Sequence, residues 1–183
     1  MEEMYCYRYP RPAVTTDCVI FGFDGEKLSV LLIQRGNEPF KGAWAFPGGF
    51  LDMDETAETG ALRELEEETG MKDVFVEQFH TFSAVERDPR GRTITVAFYA
   101  LVDPGKYKVK GNDDAVAACW YPVDDLPLLA FDHREIFERA CRSLALKLYM
   151  QIRGLEQKDV NLDSFELDRI FKLLSQEYKQ YLK

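Results

Sequence analysis

A chain of 183 residues, 46% hydrophobic and 30% charged, has the make-up of one globular domain with a full core, which excludes wholesale disorder. Its 23 basic and 32 acidic residues leave a net charge of −9 and a pI of about 4.8, which works against a nucleic-acid surface and calls for a cation wherever phosphate is handled. No stretch approaches the roughly 18 apolar residues of a membrane span. The acidic start Met1-Glu2-Glu3-Met4 lacks the apolar run of a secretory leader, so a soluble cytoplasmic chain is expected.

Residues 1–12, rich in Tyr, Arg and Pro, read as an extended N-terminal arm. Its Tyr5, Tyr7 and Tyr9 offer rings for stacking or for a second subunit, although a plain edge extension explains them as well. Two β-branched and aliphatic runs, 14–23 and 28–34, flank the hairpin signal Asp24-Gly25. Residues 44–51 hold Pro47-Gly48-Gly49, a loop whose backbone must approach another group closely. A helix is predicted over 56–69, stopped by Gly70. Strands follow over 74–84 and 92–102, joined by the polar loop 85–91, with a short strand over 115–121.

Asp132 followed by Glu135 matches a capping box for a helix running to 153, with Phe137, Ala140, Leu144 and Leu148 as its core-facing stripe. After a polar break over 154–161, a last helix over 164–182 sets Leu167, Ile170, Leu174, Tyr178 and Leu182 on one side. The expected organisation is therefore the arm 1–12, a main domain 13–153, and a helical extension 154–183 packed on that domain. Cys6, Cys18, Cys119 and Cys141 are scattered without a C-x-x-C pair, which argues for buried reduced thiols rather than a zinc site or disulfides. His80 and His133 lack ligand-spaced partners and read as structural.

The chemistry concentrates in Glu64-Leu65-Glu66-Glu67-Glu68. On a helix, Glu67 and Glu68 flank Glu64 by about 60° and 40°, so three carboxylates share one arc within a turn. Like charges at that spacing oppose helix formation. A hard dication, Mg²⁺ or Mn²⁺, would remove the conflict and share its remaining coordination positions with phosphate oxygens. Ala61 and Leu65 lie beside the arc, so the carboxylates border the core rather than face open solvent.

Gly49, Glu55, Arg63-Glu64-Leu65, Glu67-Glu68 and Gly70-Met71 stand at the spacing G-x₅-E-x₇-R-E-U-x-E-E-x-G-U, with U apolar. This resembles the Nudix box at every specified position. The resemblance implies an α/β fold, a Nudix-type α/β/α sandwich with a mixed β-sheet, here with two additional C-terminal helices. It also implies hydrolysis of a nucleoside diphosphate linked to another group. Glu64, Glu67 and Glu68 match the family's metal ligands, and Glu55 and Arg63 match the pair that buttresses loop and helix, making Glu67, Glu64, Arg63 and Glu55 the expected catalytic set. Gly48 and Gly49 let the loop turn ahead of the helix, whose N-terminus favours bound phosphate. A general base varies in position across the family; Asp103, Asp113, Asp114 and Glu86 are the candidates.

The loop Glu86-Arg87-Asp88-Pro89-Arg90-Gly91-Arg92 brings three arginines together, and Arg87, Asp88, Arg90 and Arg92 are expected to clamp a phosphate or ribose phosphate. This loop, Pro10-Arg11-Pro12-Ala13-Val14, Trp120-Tyr121-Pro122 and Asp125-Leu126-Pro127 are similar to the ADP-ribose pyrophosphatase branch. That likeness implies a small nucleotide-sugar diphosphate as substrate and a homodimer. Two other functions fit the same box: a housecleaning enzyme for damaged nucleoside triphosphates, and a ligand-sensing regulator that binds DNA. Against DNA stand the end of the chain at Lys183, with no room expected for a winged-helix domain, and six acidic against five basic side chains over 156–183.

Overall fold

The computed structural model describes residues 6–111, 115–155 and 162–177, so Tyr5, Asp113, Asp114, Tyr178 and Leu182 lie outside the described residues. The first two apolar runs form β1 (Ala13–Phe23) and β2 (Leu28–Arg35), paired antiparallel from Phe21↔Val30 to Phe23↔Leu28. Asp24 Oδ1 fixes the turn between them by accepting from the backbone N–H of Glu26 at 2.8 Å and of Lys27 at 2.7 Å. Around this hairpin assemble β3 (Trp44–Ala45), β4 (Gly48–Phe50), β5 (Glu77–Phe82), β6 (Thr93–Val102) and β7 (Ala115–Pro122).

The sheet order is β3-β2-β1-β6-β5, with β4 on β1 and β7 on β2. β1 and β6 run parallel from Ala13↔Thr93 to Gly22↔Val102, and every other pairing is antiparallel, which makes the sheet mixed. Both faces are covered, so the inner strands are apolar on both sides. Cys18 and Ile20 of β1, Leu31 and Ile33 of β2, and Phe98 and Ala100 of β6 pack with Ala61 and Leu65 of α1 (Ala57–Thr69). The alternate residues Val19, Phe21, Val30, Leu32, Ala97 and Tyr99 pack against α2 (His133–Ile152) and α3 (Ser164–Glu177). The expected stripe of α2 is buried, and Leu167, Ile170 and Leu174 of α3 join the same cluster. The result is the expected α/β/α sandwich.

Four local expectations are corrected. Pro47-Gly48-Gly49 is not loop throughout, because Gly48 and Gly49 belong to β4. The strand expected over 74–84 forms a ladder only over Glu77–Phe82; before it Val74 and Val76 alternate into the α1 core while Phe75 is 75% exposed. Asp132 makes no side-chain cap bond to α2, whereas a reciprocal box starts α3: Asp163 N–H donates to Glu166 Oε2 and Glu166 N–H to Asp163 Oδ1, at 2.8 and 2.9 Å. Cys18 and Cys141 are buried free thiols as expected, but Cys6 in the arm and Cys119 on β7 are exposed. Cys119 alternates with the buried Ala118 on a strand that, among the described residues, pairs with β2 alone.

Candidate active site

The glycine loop is bound to β1 along its length: Cys18 N–H donates to the Pro47 carbonyl at 2.8 Å and Leu51 N–H to that of Val14 at 3.0 Å. A side chain at Gly48 would run into the Thr16 carbonyl oxygen, and one at Gly49 into the Glu64 carboxylate. The loop therefore presses directly on α1, which Thr56 caps through the Thr59 N–H at 3.1 Å and Gly70 ends in the left-handed conformation.

With Ala61 and Leu65 buried, the acidic arc lies where the helix leaves the core. Glu68 is 6% exposed and accepts from Gly48 N–H at 2.9 Å, while the Glu67 side chain is 44% exposed. Arg63 is the hub of this arrangement. Its Nε and Nη2 hold both oxygens of Glu55 at 3.1 and 2.7 Å, its Nη1 donates to Glu64 Oε1 at 2.9 Å and Glu67 Oε2 at 3.0 Å, and its Nη2 also reaches the Phe50 carbonyl at 3.1 Å. The Arg63 hydrogen bonds hold the Glu55 carboxyl below the usual carboxylate range. Burial raises Glu64, the nearby Arg63 opposing it, and pushes Glu68 up to about 8.

Among the described residues, no three His, Cys, Asp or Glu side chains converge as a formed cation cage. Glu64 and Glu67 each turn one oxygen to Arg63, and Glu68 turns one to Gly48. Their second oxygens stay outside these bonds, and Thr16 Oγ1, buried in the same wall, has no hydrogen-bond partner among the described residues. An all-oxygen, all-carboxylate donor set on one helix turn suits a hard divalent ion, with side-chain rotation needed to gather it.

These groups face a cavity of about 360 Å³ that gathers Gly48, Gly49, Arg63, Glu64, Glu67, Glu68, Arg87, Asp88 and Arg90, together with Asp17, Arg35, Phe50, Phe131 and His133. The arginine loop is only partly the expected clamp. Arg87 is nearly buried and pairs with both oxygens of Asp132, at 2.7 and 2.8 Å. Arg90 pairs with the buried Asp88 through Nε and Nη2 and lies over the rings of Phe50 and Phe131, at 4.8 and 5.3 Å from their centroids. Arg92 is outside the cavity wall; its Nη1 donates to the Ala84 and Thr93 carbonyls at 3.2 and 3.4 Å.

The described general-base candidates are also elsewhere. Asp103 starts the 3-10 turn Pro104–Lys106 beside a separate cavity, and exposed Glu86 is outside the wall. Tyr7 and Tyr9 of the arm do not line the site either; the Tyr7 hydroxyl lies 3.9 Å from Met53 Sδ.

Sequence reasoning missed Asp17 and His133 as site residues. Asp17 accepts from Thr95 Oγ1 at 2.6 Å and lies 3.5 Å from His133 Nε2. His133 Nδ1 accepts from Phe46 N–H at 3.0 Å, and the two rings stack at 5.3 Å. A lone carboxylate inside the apolar run 14–23 was the available signal for Asp17. His80, by contrast, sits on β5 outside this wall, 3.5 Å from Arg139.

Comparison with known proteins agrees with this geometry. The NUDIX domain model matches residues 11–140, and the chain belongs to the Nudix hydrolase family. An ADP-ribose pyrophosphatase of Methanocaldococcus jannaschii is 40% identical over 130 residues, 71% of this chain and 73% of that protein. The ADPR responsive transcriptional repressor NtrR of Acinetobacter baylyi is 38% identical over 136 residues, and the chain spans 54% of its length. Among solved structures, Shewanella oneidensis NrtR superposes with a TM-score of 0.72 at 30% identity, over 92% of this chain and 82% of that one. Its NUDIX domain complexed with ADP ribose gives 0.68 at 36% identity, over 74% and 90%.

Proposed function

We propose that this chain hydrolyses ADP-ribose to AMP and ribose 5-phosphate. The observation that carries this reading is the Arg63-centred carboxylate array on α1, set under the glycine loop and facing a cavity that Arg87 and Arg90 also line. The likeness to the M. jannaschii pyrophosphatase and to an ADP-ribose-bound domain supports the choice of substrate.

In this reading, Glu64, Glu67 and Glu68 hold a divalent cation, Mg²⁺ or Mn²⁺, which supplies charge neutralisation at the diphosphate and acidifies water. Arg63, anchored by Glu55, keeps Glu64 and Glu67 on the cavity side. The backbone at Gly48 and Gly49 lets the diphosphate approach α1, and Arg87 and Arg90 meet its negative charge. Water adds to one phosphorus, the P–O–P bond breaks, and the two phosphate monoesters leave. A homodimer belongs to the same reading, and light scattering at micromolar protein tests it.

The decisive experiment is a substrate panel with product identification: ADP-ribose, 8-oxo-dGTP, NADH and diadenosine polyphosphates, each with Mg²⁺. Selective release of AMP from ADP-ribose is expected; preference for 8-oxo-dGTP would move the chain to the housecleaning class. One observation favours a second reading. The NrtR superposition extends over 92% of the chain, well beyond the residues that match the family model. A regulator that senses the same ligand would retain duplex DNA in a salt-sensitive manner at low micromolar protein.

A further inference from the structure

We infer that Asp132 is a positioning residue for this site: it holds the Arg87 guanidinium in the cavity wall so that the remaining Nη1 hydrogens are offered to an anionic oxygen of the substrate. The inference rests on the reading that the cavity takes a diphosphate compound. Asp132 precedes α2 and stands where an N-cap side chain would turn back onto the first N–H groups of the helix. Its carboxylate does not do so; the Asp132 backbone carbonyl accepts from the N–H groups of Glu135 and Ile136 at 2.9 and 3.1 Å, without help from the side chain. The carboxylate instead accepts from Arg87 Nε and Nη2, 45 residues away in the chain. A helix cap is given up for an ion pair at the ligand cavity.

The Arg87 side chain is 4% exposed, and a guanidinium so placed needs a carboxylate partner to stay buried. Asp132 meets its charge and two of its three nitrogens, with Asp17 Oδ2 at 3.8 Å from Nη2. Nη1 has no partner among the described residues, yet Arg87 forms part of the cavity wall. The neighbouring His133 pins the same stretch from the other side through Phe46 and Asp17, so the fork cannot swing away without moving the start of α2. A bidentate carboxylate behind and two free donors in front fit the recognition of a phosphate oxygen.

The test is steady-state hydrolysis of ADP-ribose, with calorimetric binding of ADP-ribose and of inorganic pyrophosphate, on wild type, Asp132→Asn, Arg87→Gln and the double variant, with each melting temperature recorded. Loss of an acceptor and of the charge behind Arg87 is expected to raise KM and both Kd values about tenfold, the size of one charge-assisted hydrogen bond, with kcat within about twofold. The double variant is expected to be no worse than Arg87→Gln, and Asp132→Glu, which keeps the charge, to recover part of the affinity. An Asp132→Asn effect that persists undiminished in the Arg87→Gln background, or a fall in melting temperature with KM and Kd unchanged, overturns the role. If wild type neither binds nor turns over ADP-ribose while pyrophosphate binding still weakens in Asp132→Asn, the substrate reading fails and the positioning role stands. No binding of either ligand by wild type overturns both.

Discussion

Gly49 has no room for a side chain because the Glu64 carboxylate lies against its Cα, and Gly48 has none because the Thr16 carbonyl does. The two obstacles differ in kind. A carboxylate can swing aside, so Gly49→Ala is expected to leave the melting temperature nearly unchanged but drive Glu64 off Arg63, lowering kcat/KM by about a hundredfold, or ~2.7 kcal/mol. A backbone oxygen inside a ladder cannot swing, so Gly48→Ala is expected to destabilise the fold by about 1–3 kcal/mol in urea titration. His133 carries a pH prediction. Burial depresses its pKa, with Asp17 opposing, and the Phe46 N–H on Nδ1 places the proton on Nε2. The unfolded chain takes up a proton below the ordinary pKa of about 6.5 while the folded ring stays neutral, so this residue makes stability fall as pH drops through that value. Nitrogen NMR at pH 6, with only two histidines to assign, is expected to show a neutral Nε2–H ring; a doubly protonated ring would contradict the account.

The residues of the 49–71 motif were legible because their partners are close in sequence: Arg63 reaches Glu55, Glu64 and Glu67 within eight positions, on one helix and the loop before it. Asp17 and His133 were not, and neither was the pairing of Arg87 with Asp132, because the partners lie 78, 87 and 45 residues apart, and the parallel β1–β6 pairing and the seating of α2 bring them together. The same contrast explains Asp132, whose local pattern is that of a cap until the tertiary fold delivers Arg87 to it. Among the elements, the apolar runs 14–23 and 28–34 marked the first two strands and the resemblance implied the sandwich, but neither says which helix covers which face. α3 is held by Leu167, Ile170 and Leu174 in the α2 cluster. Leu174→Ala is expected to lower unfolding free energy by about 2–5 kcal/mol, because the residue fills a closed core. A change below 0.5 kcal/mol would mean that α3 does not belong to that core in solution.

For the molecule as a whole, an acidic protein presents a cavity in which the α1 carboxylates and the arginines Arg63, Arg87 and Arg90 meet. Two helix-covered cores close without any help from an ion, so chelation is expected to abolish turnover while leaving the melting temperature within a few degrees, with Mg²⁺ or Mn²⁺ restoring activity. Loss of the fold on chelation would contradict that division between scaffold and site. Among the described residues, no helix is long and apolar enough to cross a membrane. AMP release from ADP-ribose under saturating Mg²⁺, wild type beside Glu67→Gln, reads hydrolysis at this site without intermediary. A metal-assisted hydrolase built on these carboxylates gives steady AMP formation in the wild type and loses it, by at least about a hundredfold, in the variant. Tight ADP-ribose binding without any AMP would contradict it and leave a sensor built on a hydrolase fold.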